Sequence, residues 1–318
     1  MAVHTKVSKI NLLEIIKNYN LGKLQNYHGI KEGIENTNYF VQTSKKKVIL
    51  TIFENRVKKS AIPKFMEILI FCSKNRIKCP KPLADSKGKF INEIENKKYG
   101  IFSFLDGKSK NKWNKKDCFL VGKTLANLHN KNLRRSFKLV NNLGILSWKV
   151  LYSKLKYKIN GLIPNASKPI SDEIKFLTKE WPRCLPKGLI HADLFPDNVL
   201  FNEDSISGIL DFYFSCHEIL AYDLAITLNA WSFFDGQFKK EFFNEIFKGY
   251  ETKRKLNKLE KDNINLLLRG ASMRFLLTRL YDMVYVSENE LLEKKNPIEF
   301  YRILKFHQNL ENINDYIK

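Results

Sequence analysis

The chain has 318 residues, 44% hydrophobic and 13% aromatic, a composition that excludes a disordered protein and allows a large core in two lobes. Its formal net charge of +22 is carried mostly by scattered lysines, with no arginine-rich patch interleaved with aromatics, so we expect no nucleic-acid partner. Irregularly spaced cysteines, no signal-peptide pattern and no apolar run near about 18 residues predict a cytoplasmic protein with reduced thiols and no membrane partner.

The first hundred residues alternate helical and strand patterns. Ser8 can cap a first helix, which ends near Gly22. Strands are then predicted over residues 39–43, 48–53 and 99–105, and a second helix over residues 61–74. We therefore expect a sheet-containing lobe over residues 1–107.

After Gly107 the pattern becomes mostly helical. Asn114 and Asp117 are spaced as a helix-capping pair. His129 in that helix is expected to be a packed or surface residue and not a metal ligand, since no second ligand accompanies it. Further helices are predicted over residues 146–159, 172–181, 220–231, 266–282 and 297–310. The whole pattern predicts an α+β fold of two lobes, an N-terminal antiparallel sheet and a larger, mostly helical lobe over residues 108–318.

One stretch between the helices carries four polar residues among apolar runs. His191, Asp193 and Asn198 lie between two short predicted strands, and Asp211 follows the next strand. Asn198 is five positions after Asp193, and Asp211 is thirteen after Asn198. A tight turn over residues 203–208 is expected to return Asp211 towards Asn198. Ordinary turn chemistry would explain the Pro-Asp-Asn run, but it does not explain His-x-Asp and a strand-borne Asp at these intervals.

Protein kinases use the same order: His-x-Asp, an Asn five positions on, and an Asp followed by Phe. Phosphoryl transfer requires positioned groups and neutralised charge. We assign Asp193 to orient or deprotonate the attacking hydroxyl, and Asn198 and Asp211 to bind Mg²⁺, which prefers hard oxygen ligands. His191 is expected to brace the loop. Asp223, in the first turn of a buried helix, is expected to hold that loop through backbone hydrogen bonds, beyond any favourable contact with the helix dipole.

The loop over residues 29–38 is the candidate phosphate-binding loop for ATP. Its candidate contacts are Gly29, Gly33, Asn36 and Asn38. Glycines let backbone N–H groups approach anions closely, although two glycines fall short of the full kinase pattern and also occur in ordinary turns. Thr51 stands where kinases place a phosphate-pairing Lys. Lys47, another cation, or the loop backbone with Mg²⁺ are the alternatives for that role.

Contacts to the base and to the second substrate are expected in two further places. Ser103, Phe104 and Leu105 end the last strand of the first lobe and are the hinge candidates for adenine. Arg274 and Arg279 lie in a strongly apolar helix, where a buried arginine needs a partner. A ligand carboxylate, which arginine binds bidentately, and an internal ion pair are both open for these two residues.

Several stretches together resemble a known family. The residues His191–Asn198, Asp211 and Tyr222-Asp-Leu-Ala resemble the aminoglycoside phosphotransferase and choline kinase-like superfamily. The chain is similar to the bacterial homoserine kinase branch in residues 1–7, 29–38, 191–199, 211–214, 221–231 and 274–282. The resemblance covers essentially the whole length, and that branch also lacks the strand Lys at the position of Thr51.

This resemblance implies a protein-kinase-like fold and ATP-dependent, Mg²⁺-assisted phosphorylation of the L-homoserine hydroxyl in threonine biosynthesis. It implies Asp193 at the hydroxyl, Arg274 or Arg279 at the carboxylate, and Tyr213 or an acid at the ammonium group. The expected partners are ATP and L-homoserine, in a monomer or homodimer. The alternatives are a sister kinase for choline, methylthioribose or an aminoglycoside, and a non-catalytic nucleotide-binding module, because Thr51 replaces the usual Lys.

Overall fold

The structure is a computed structural model that describes residues 4–30, 36–54, 60–132, 137, 139–286 and 294–317. The chain divides into two compact units. The first consists of Met1–Gly107 with Ser207–Phe212, and the second of Lys108–Ile206 with Tyr213–Lys318.

The first unit is built on an antiparallel sheet. Its elements are α1 (Lys9–Asn18), β1 (Leu24–Gly29), β2 (Thr37–Thr43), β3 (Lys47–Ile52), α2 (Ile62–Lys74), β4 (Pro82–Leu83), β5 (Asn92–Ile94) and β6 (Lys97–Ser103). The strand order is β1-β2-β3-β6-β4, and β5 pairs with β6. Ser8 caps α1 by accepting a hydrogen bond from Asn11 N at 3.1 Å, so the predicted cap is confirmed.

Alternation along the strands separates the two faces of this sheet. In the register of the pairing, Val41 lies opposite Val48, and Leu50 lies opposite Ile101. These side chains are almost fully buried and form a core with the apolar side of α1. The alternate positions of β2, which include Asn38 and Phe40, are half-buried and belong to the other face. Asn38, one of the candidate nucleotide contacts, therefore lies on the face opposite the core.

The short segment Ser207–Phe212, which includes Asp211, groups with the first compact unit, whereas the sequence-based boundary placed residues 108–318 together. Ile209 N donates to Lys78 O at 2.8 Å. A Cβ built on Gly208 would lie 2.5 Å from Leu105 Cδ1, so the backbone approaches that side chain closely. The residues that make these contacts lie far apart in the chain, so no local sequence pattern predicts them.

The second unit is mostly helical, as predicted. Its helices are α3 (Lys115–Asn132), α4 (Ile145–Leu155), α5 (Ile159–Leu162), α6 (Ser167–Glu180), α7 (Leu220–Ser232), α8 (Lys240–Glu251), α9 (Lys258–Asp262), α10 (Ile264–Tyr285), α11 (Pro297–Gln308) and α12 (Ile313–Ile317). Its strands are β7 (Lys187–Ile190), β8 (Val199–Asn202), β9 (Ser205–Ile209, which runs into the first unit), β10 (Cys216–Ile219), β11 (Phe233–Phe234) and β12 (Gln237–Phe238).

The core of the second unit forms where α4, α6, α10 and α11 pack together, around Trp148, Leu177, Leu277 and Phe300. Helix α7 is buried along nearly its whole length. No helix in the described part of the chain combines the length and apolar run needed to cross a membrane. The predicted pairing of an antiparallel-sheet region with a larger helical region is confirmed.

Some sequence-based boundaries were wrong. The helix predicted over residues 146–159 is two helices, α4 and α5, separated by a turn, and the helix predicted to begin at residue 172 begins at Ser167. Strand β10 was not predicted. It pairs antiparallel with β7, with Cys216 opposite Ile190, so its formation depends on a distant partner.

Two glycines allow α3 and α8 to approach closely. A Cβ built on Gly122 of α3 would lie 2.0 Å from Ile246 O, and one built on Gly249 of α8 would lie 2.0 Å from Phe119 O. Real Cβ atoms do not make such contacts, so both positions require glycine for packing. This crossing holds in place the helix that carries His129.

Candidate active site

Asp193 lies in the loop that follows β7. Strand β7 is buried from Gly188 to Ile190 and delivers the chain to His191, which is also fully buried. Ala192 then adopts φ of +66°, a left-handed conformation that is uncommon for a residue with a side chain. Such strain persists only where surrounding contacts determine the backbone, and the contacts around this loop do so.

The N–H groups of the loop are held by one carboxylate. Asp223, fully buried in the first turn of α7, accepts from His191 N and from Ala192 N, each at 2.7 Å. Burial alone would raise the pKa of Asp223, but bonds from His129 and the His191 backbone keep that pKa below its usual range. The backbone hydrogen bonds expected of Asp223 are therefore present.

The carbonyl groups of the loop are held from the other side. Arg274 donates to Ala192 O through Nη1. Trp231 donates to Leu194 O at 2.8 Å, and Ser215 donates to His191 O at 3.4 Å. No local sequence pattern indicates the bond from Trp231, because its partner lies 37 residues away.

Within the loop, Asp193 and Asn198 are brought together. Asp193 N donates to His191 Nδ1 at 3.2 Å, which is the bracing expected of His191. The turn Pro196–Asn198 brings Asn198 Nδ2 to 2.9 Å from Asp193 O and 3.2 Å from Asp193 Oδ2. Since the amide nitrogen of Asn198 is occupied in this way, its oxygen is the atom available to a cation.

A buried hydrogen-bonded chain continues from Asp223 away from the loop. Asp223 Oδ2 lies 3.0 Å from His129 Nε2, and His129 Nδ1 lies 2.7 Å from the Tyr250 hydroxyl. Arg254 donates to that hydroxyl at 3.1 Å and to Glu260 at 2.7 Å. Because Arg254 can only donate, Tyr250 O–H donates to Nδ1, and the proton of His129 is on Nε2. His129 is a packed residue, as predicted, and burial lowers its pKa.

The arginines of α10 have different partners. Arg269 binds Glu173 bidentately, with Nε and Nη2 each 2.7 Å from a carboxylate oxygen. Arg279 donates to Glu299 at 2.5 Å and to Asn296 O at 3.0 Å, which is the internal ion pair left open by the sequence. Arg274 instead reaches the loop of Asp193. Tyr213, the other candidate substrate contact, is half-buried in the turn before β10.

In the first unit, several candidate nucleotide contacts lie on or beside the sheet. Asn38 Oδ1 accepts from Thr51 Oγ1 at 2.7 Å, so the residue that replaces the kinase Lys is bonded to the candidate loop. Asn36 Oδ1 accepts from Glu54 N at 3.2 Å. Gly29 ends β1 opposite Tyr39. Gly33 lies outside the described residues.

The hinge candidates and Asp211 also belong to this unit. Phe104 packs edge-on to Phe40, with ring centroids 5.1 Å apart, and Lys47 Nζ lies 5.8 Å from its ring. Ser103 Oγ accepts from Lys81 N at 2.9 Å. Leu105 lies against Gly208, and Asp211 is half-buried with φ of +58°. Asp211 is thus a second strained, non-glycine position among the candidates.

Comparison with known proteins identifies the family. Residues 26–259 match the phosphotransferase enzyme family. The chain is 38% identical over 317 residues to a homoserine kinase of Agrobacterium fabrum, covering 99% of this chain and 98% of that protein. It is 39% identical over 318 residues to a homoserine kinase of Rhodopseudomonas palustris, covering 99% and 97%. The chain belongs to the homoserine kinases of the phosphotransferase enzyme family.

The fold of this kinase is shared beyond its close relatives. Its structure is similar to that of an amicoumacin kinase in complex with AMP-PNP and Ca²⁺, with a TM-score of 0.68 at 18% identity, covering 95% of this chain and 94% of that one. The likeness at this identity concerns the fold alone. The family resemblance, the fold class and the enzyme class predicted from the sequence are confirmed.

Proposed function

We propose that the protein transfers the γ-phosphoryl group of ATP to the side-chain hydroxyl of L-homoserine, giving O-phospho-L-homoserine and ADP for threonine biosynthesis. The observation that carries the proposal is the loop of Asp193. It stands at the family's motif, and its backbone is held on both sides by buried residues. The relatives that match this chain over nearly its full length are homoserine kinases.

In the proposed reaction Asp193 accepts the proton of the homoserine hydroxyl as the hydroxyl oxygen forms a bond to the γ-phosphorus. The bond from that phosphorus to the bridging oxygen breaks, and ADP leaves with the electron pair. Asn198 orients the Asp193 carboxylate through its 3.2 Å hydrogen bond. Asp223, acting through the loop backbone, is a positioning residue. A base held within hydrogen-bonding reach of its proton typically contributes about 10² to 10⁴ in rate.

Mg²⁺ fits the oxygen donors of this chain. The Asn198 amide oxygen and the Asp211 carboxylate are hard oxygens, and they are our candidates for its protein ligands. Among the described residues, no three His, Cys, Asp or Glu side chains cluster as a metal site. This suits a cation that takes the rest of its shell from phosphate oxygens and water. When bound, Mg²⁺ would neutralise charge on the phosphates.

For ATP, we propose contacts from the first unit. Gly29, Gly33, Asn36 and Asn38 are the candidates for the phosphates, and Ser103, Phe104 and Leu105 are the candidates for the adenine. The Thr51–Asn38 hydrogen bond supports a phosphate-binding loop that is braced without the strand Lys. Homoserine would contact Tyr213 through its ammonium group and an α10 arginine through its carboxylate.

The test is ADP release with Mg·ATP and a panel of L-homoserine, L-serine, choline, methylthioribose and kanamycin. We expect turnover of L-homoserine alone and a loss of at least about 100-fold in Asp193→Asn. Asp197→Asn is the matched control. It neutralises a carboxylate four positions on that is 61% exposed and pairs with a surface lysine. Turnover of another acceptor would keep the mechanism and reject the substrate. ATP binding without any turnover would favour a non-catalytic module.

A further inference from the structure

Arg274 differs from three other buried or half-buried arginines of the second unit, because it has no acidic partner among the described residues. Arg254, Arg269 and Arg279 lie within 2.7 Å of Glu260, Glu173 and Glu299, respectively. Arg274 is 2% exposed, the least of the four, yet it makes no ion pair with any described carboxylate. A buried charge without a counter-charge is strongly disfavoured, because desolvation is not offset by an opposite charge.

The guanidinium of Arg274 has a hydrogen-bond partner on only one of its edges in the described structure. Nη1 donates to Ala192 O, while Nε is buried without a hydrogen-bond partner in the described structure. Arg269, five residues earlier on the same helix, shows what the other edge can hold. There Nε and Nη2 bind one carboxylate side-on, each at 2.7 Å. Arg274 therefore presents a fork for which the protein supplies no acid.

Aromatic rings lie beside this fork. The guanidinium carbon lies 4.7 Å from the ring centroid of Phe275 and 5.6 Å from that of Phe214. Phe214 is itself 37% exposed, so one of the rings beside the guanidinium reaches the surface of the protein. Weakly hydrated guanidinium groups stack on such rings and keep their planar edge available for anions.

A second buried polar group in this region also lacks a partner. The hydroxyl of Tyr222 forms no hydrogen bond in the described structure, and its residue is 1% exposed. Burial raises the pKa of Tyr222, and the positive charge of Arg274 opposes that rise, which places the two groups near each other. Buried polar groups in native structures are nearly always hydrogen-bonded, so two unpaired groups near each other make this region a candidate for a ligand site.

We infer that Arg274, and not Arg279, binds the carboxylate of the phosphoryl acceptor, side-on through Nε and Nη2. The inference rests on the proposed function, since it takes the acceptor to be an amino acid. The same guanidinium is bonded to Ala192, the chain neighbour of Asp193. A carboxylate on Arg274 therefore places the hydroxyl of a short amino acid beside the catalytic loop, and acceptors without a carboxylate lose this anchor.

The test compares two acceptors in three variants. L-Homoserine carries the carboxylate, and 3-amino-1-propanol is the same molecule without it. In Arg274→Met we expect kcat/KM for homoserine to fall about 100-fold, mainly through KM. The value for aminopropanol should fall far less, because that acceptor loses only the support that Arg274 gives to the loop through Ala192 O. Arg274→Lys keeps the charge without the fork, so its loss on homoserine should be intermediate. Arg279→Met, which breaks an internal ion pair on the same helix, should not alter the preference between the acceptors.

Two results would overturn the inference. Equal losses on both acceptors in Arg274→Met would mean that Arg274 only positions the loop, and a selective loss in Arg279→Met would move the carboxylate site. Calorimetric titration of L-homoserine into Asp193→Asn, with and without Arg274→Met, measures the subsite without turnover. Binding that depends on Arg274 while the wild type turns over neither acceptor would keep the subsite and reject the proposed reaction. Thermal unfolding shows whether each variant is folded. If Arg274→Met does not fold, the comparison of the two acceptors is made with Arg274→Lys.

Discussion

His307 is completely buried and has both ring nitrogens bonded, in the same manner as His129. Its Nδ1 lies 2.9 Å from the Tyr316 hydroxyl and its Nε2 2.8 Å from Asn229 Oδ1. Because Asn229 Oδ1 can only accept, Nε2 carries the proton and the ring is neutral. Burial, with a smaller contribution from the charge of Arg269, lowers the pKa of His307 to about 3. A neutral ring is therefore part of the native structure.

This buried histidine predicts acid sensitivity. Its pKa is about 3 when folded and about 6.5 when unfolded, so between these values the unfolded chain binds more protons. The stabilisation is complete above about pH 6.5 and is lost as the pH falls towards 3. From about pH 7 to about pH 5 we expect the wild type to lose about 2 kcal/mol more unfolding free energy than His307→Gln, whose amide does not titrate. Urea unfolding at both pH values measures this, and equal losses in the two proteins would contradict it.

At the scale of elements, the crossing of α3 and α8 depends on the absence of two Cβ atoms. In Gly122→Ala the new methyl group would meet the backbone carbonyl of Ile246 at 2.0 Å, a contact that only movement of a helix relieves. We expect a loss of about 1–3 kcal/mol, the usual cost of overpacking, visible as a lower thermal unfolding midpoint. Since α3 carries His129, the variant should also lose activity before it unfolds.

Gly161→Ala provides the matched control for that crossing. Gly161 also lies in a helix, α5, but a Cβ built there meets nothing within 4 Å. Alanine has the higher helix propensity by roughly 0.5–1 kcal/mol, so this variant should unfold at the same or a higher temperature. If Gly122→Ala and Gly161→Ala behaved alike, the close approach of α3 and α8 would not contribute to stability.

Elements that local signals define were predicted well. Ser8 caps α1 and Pro297 begins α11, both from residues next to the helix start. Strand β10 was missed because it is four residues long and forms by pairing with the distant strand β7. Strand β11 was missed because it is only two residues long. The spacing of His191, Asp193 and Asn198 predicted that these residues share one loop. Its supports at Trp231 and Arg274 were not predicted as such, because those contacts span 37 and 82 residues.

At the scale of the whole molecule, the same limit applies to the assignment of Asp211. The predicted lobe boundary, between residues 107 and 108, places it with the helical region. The structure groups Ser207–Phe212 with the first unit, since Ile209 bonds the backbone of Lys78, more than a hundred residues earlier. Such grouping is a property of the folded chain. The net charge, in contrast, follows directly from the composition of the chain.

A net charge of +22 produces a positive field that attracts anions and leaves neutral molecules unaffected. Mg·ATP is an anion, whereas L-homoserine near neutral pH has no net charge. Salt screens interactions beyond a Debye length, which falls from about 30 Å at roughly 0.01 M to about 4 Å at roughly 0.5 M salt. We therefore expect the KM for Mg·ATP to rise several-fold, on the order of threefold, over that range of KCl, while the KM for L-homoserine stays nearly constant.

The two KM values form an internal control, because both are measured on one protein with Mg²⁺ in constant excess. A general effect of salt on folding or on the loop of Asp193 would change kcat or both KM values together. A rise confined to Mg·ATP can arise only where the anion meets the field of the protein. If the KM for Mg·ATP did not depend on salt, the lysines would serve solvation alone, and ATP affinity would come from contacts too close to be screened.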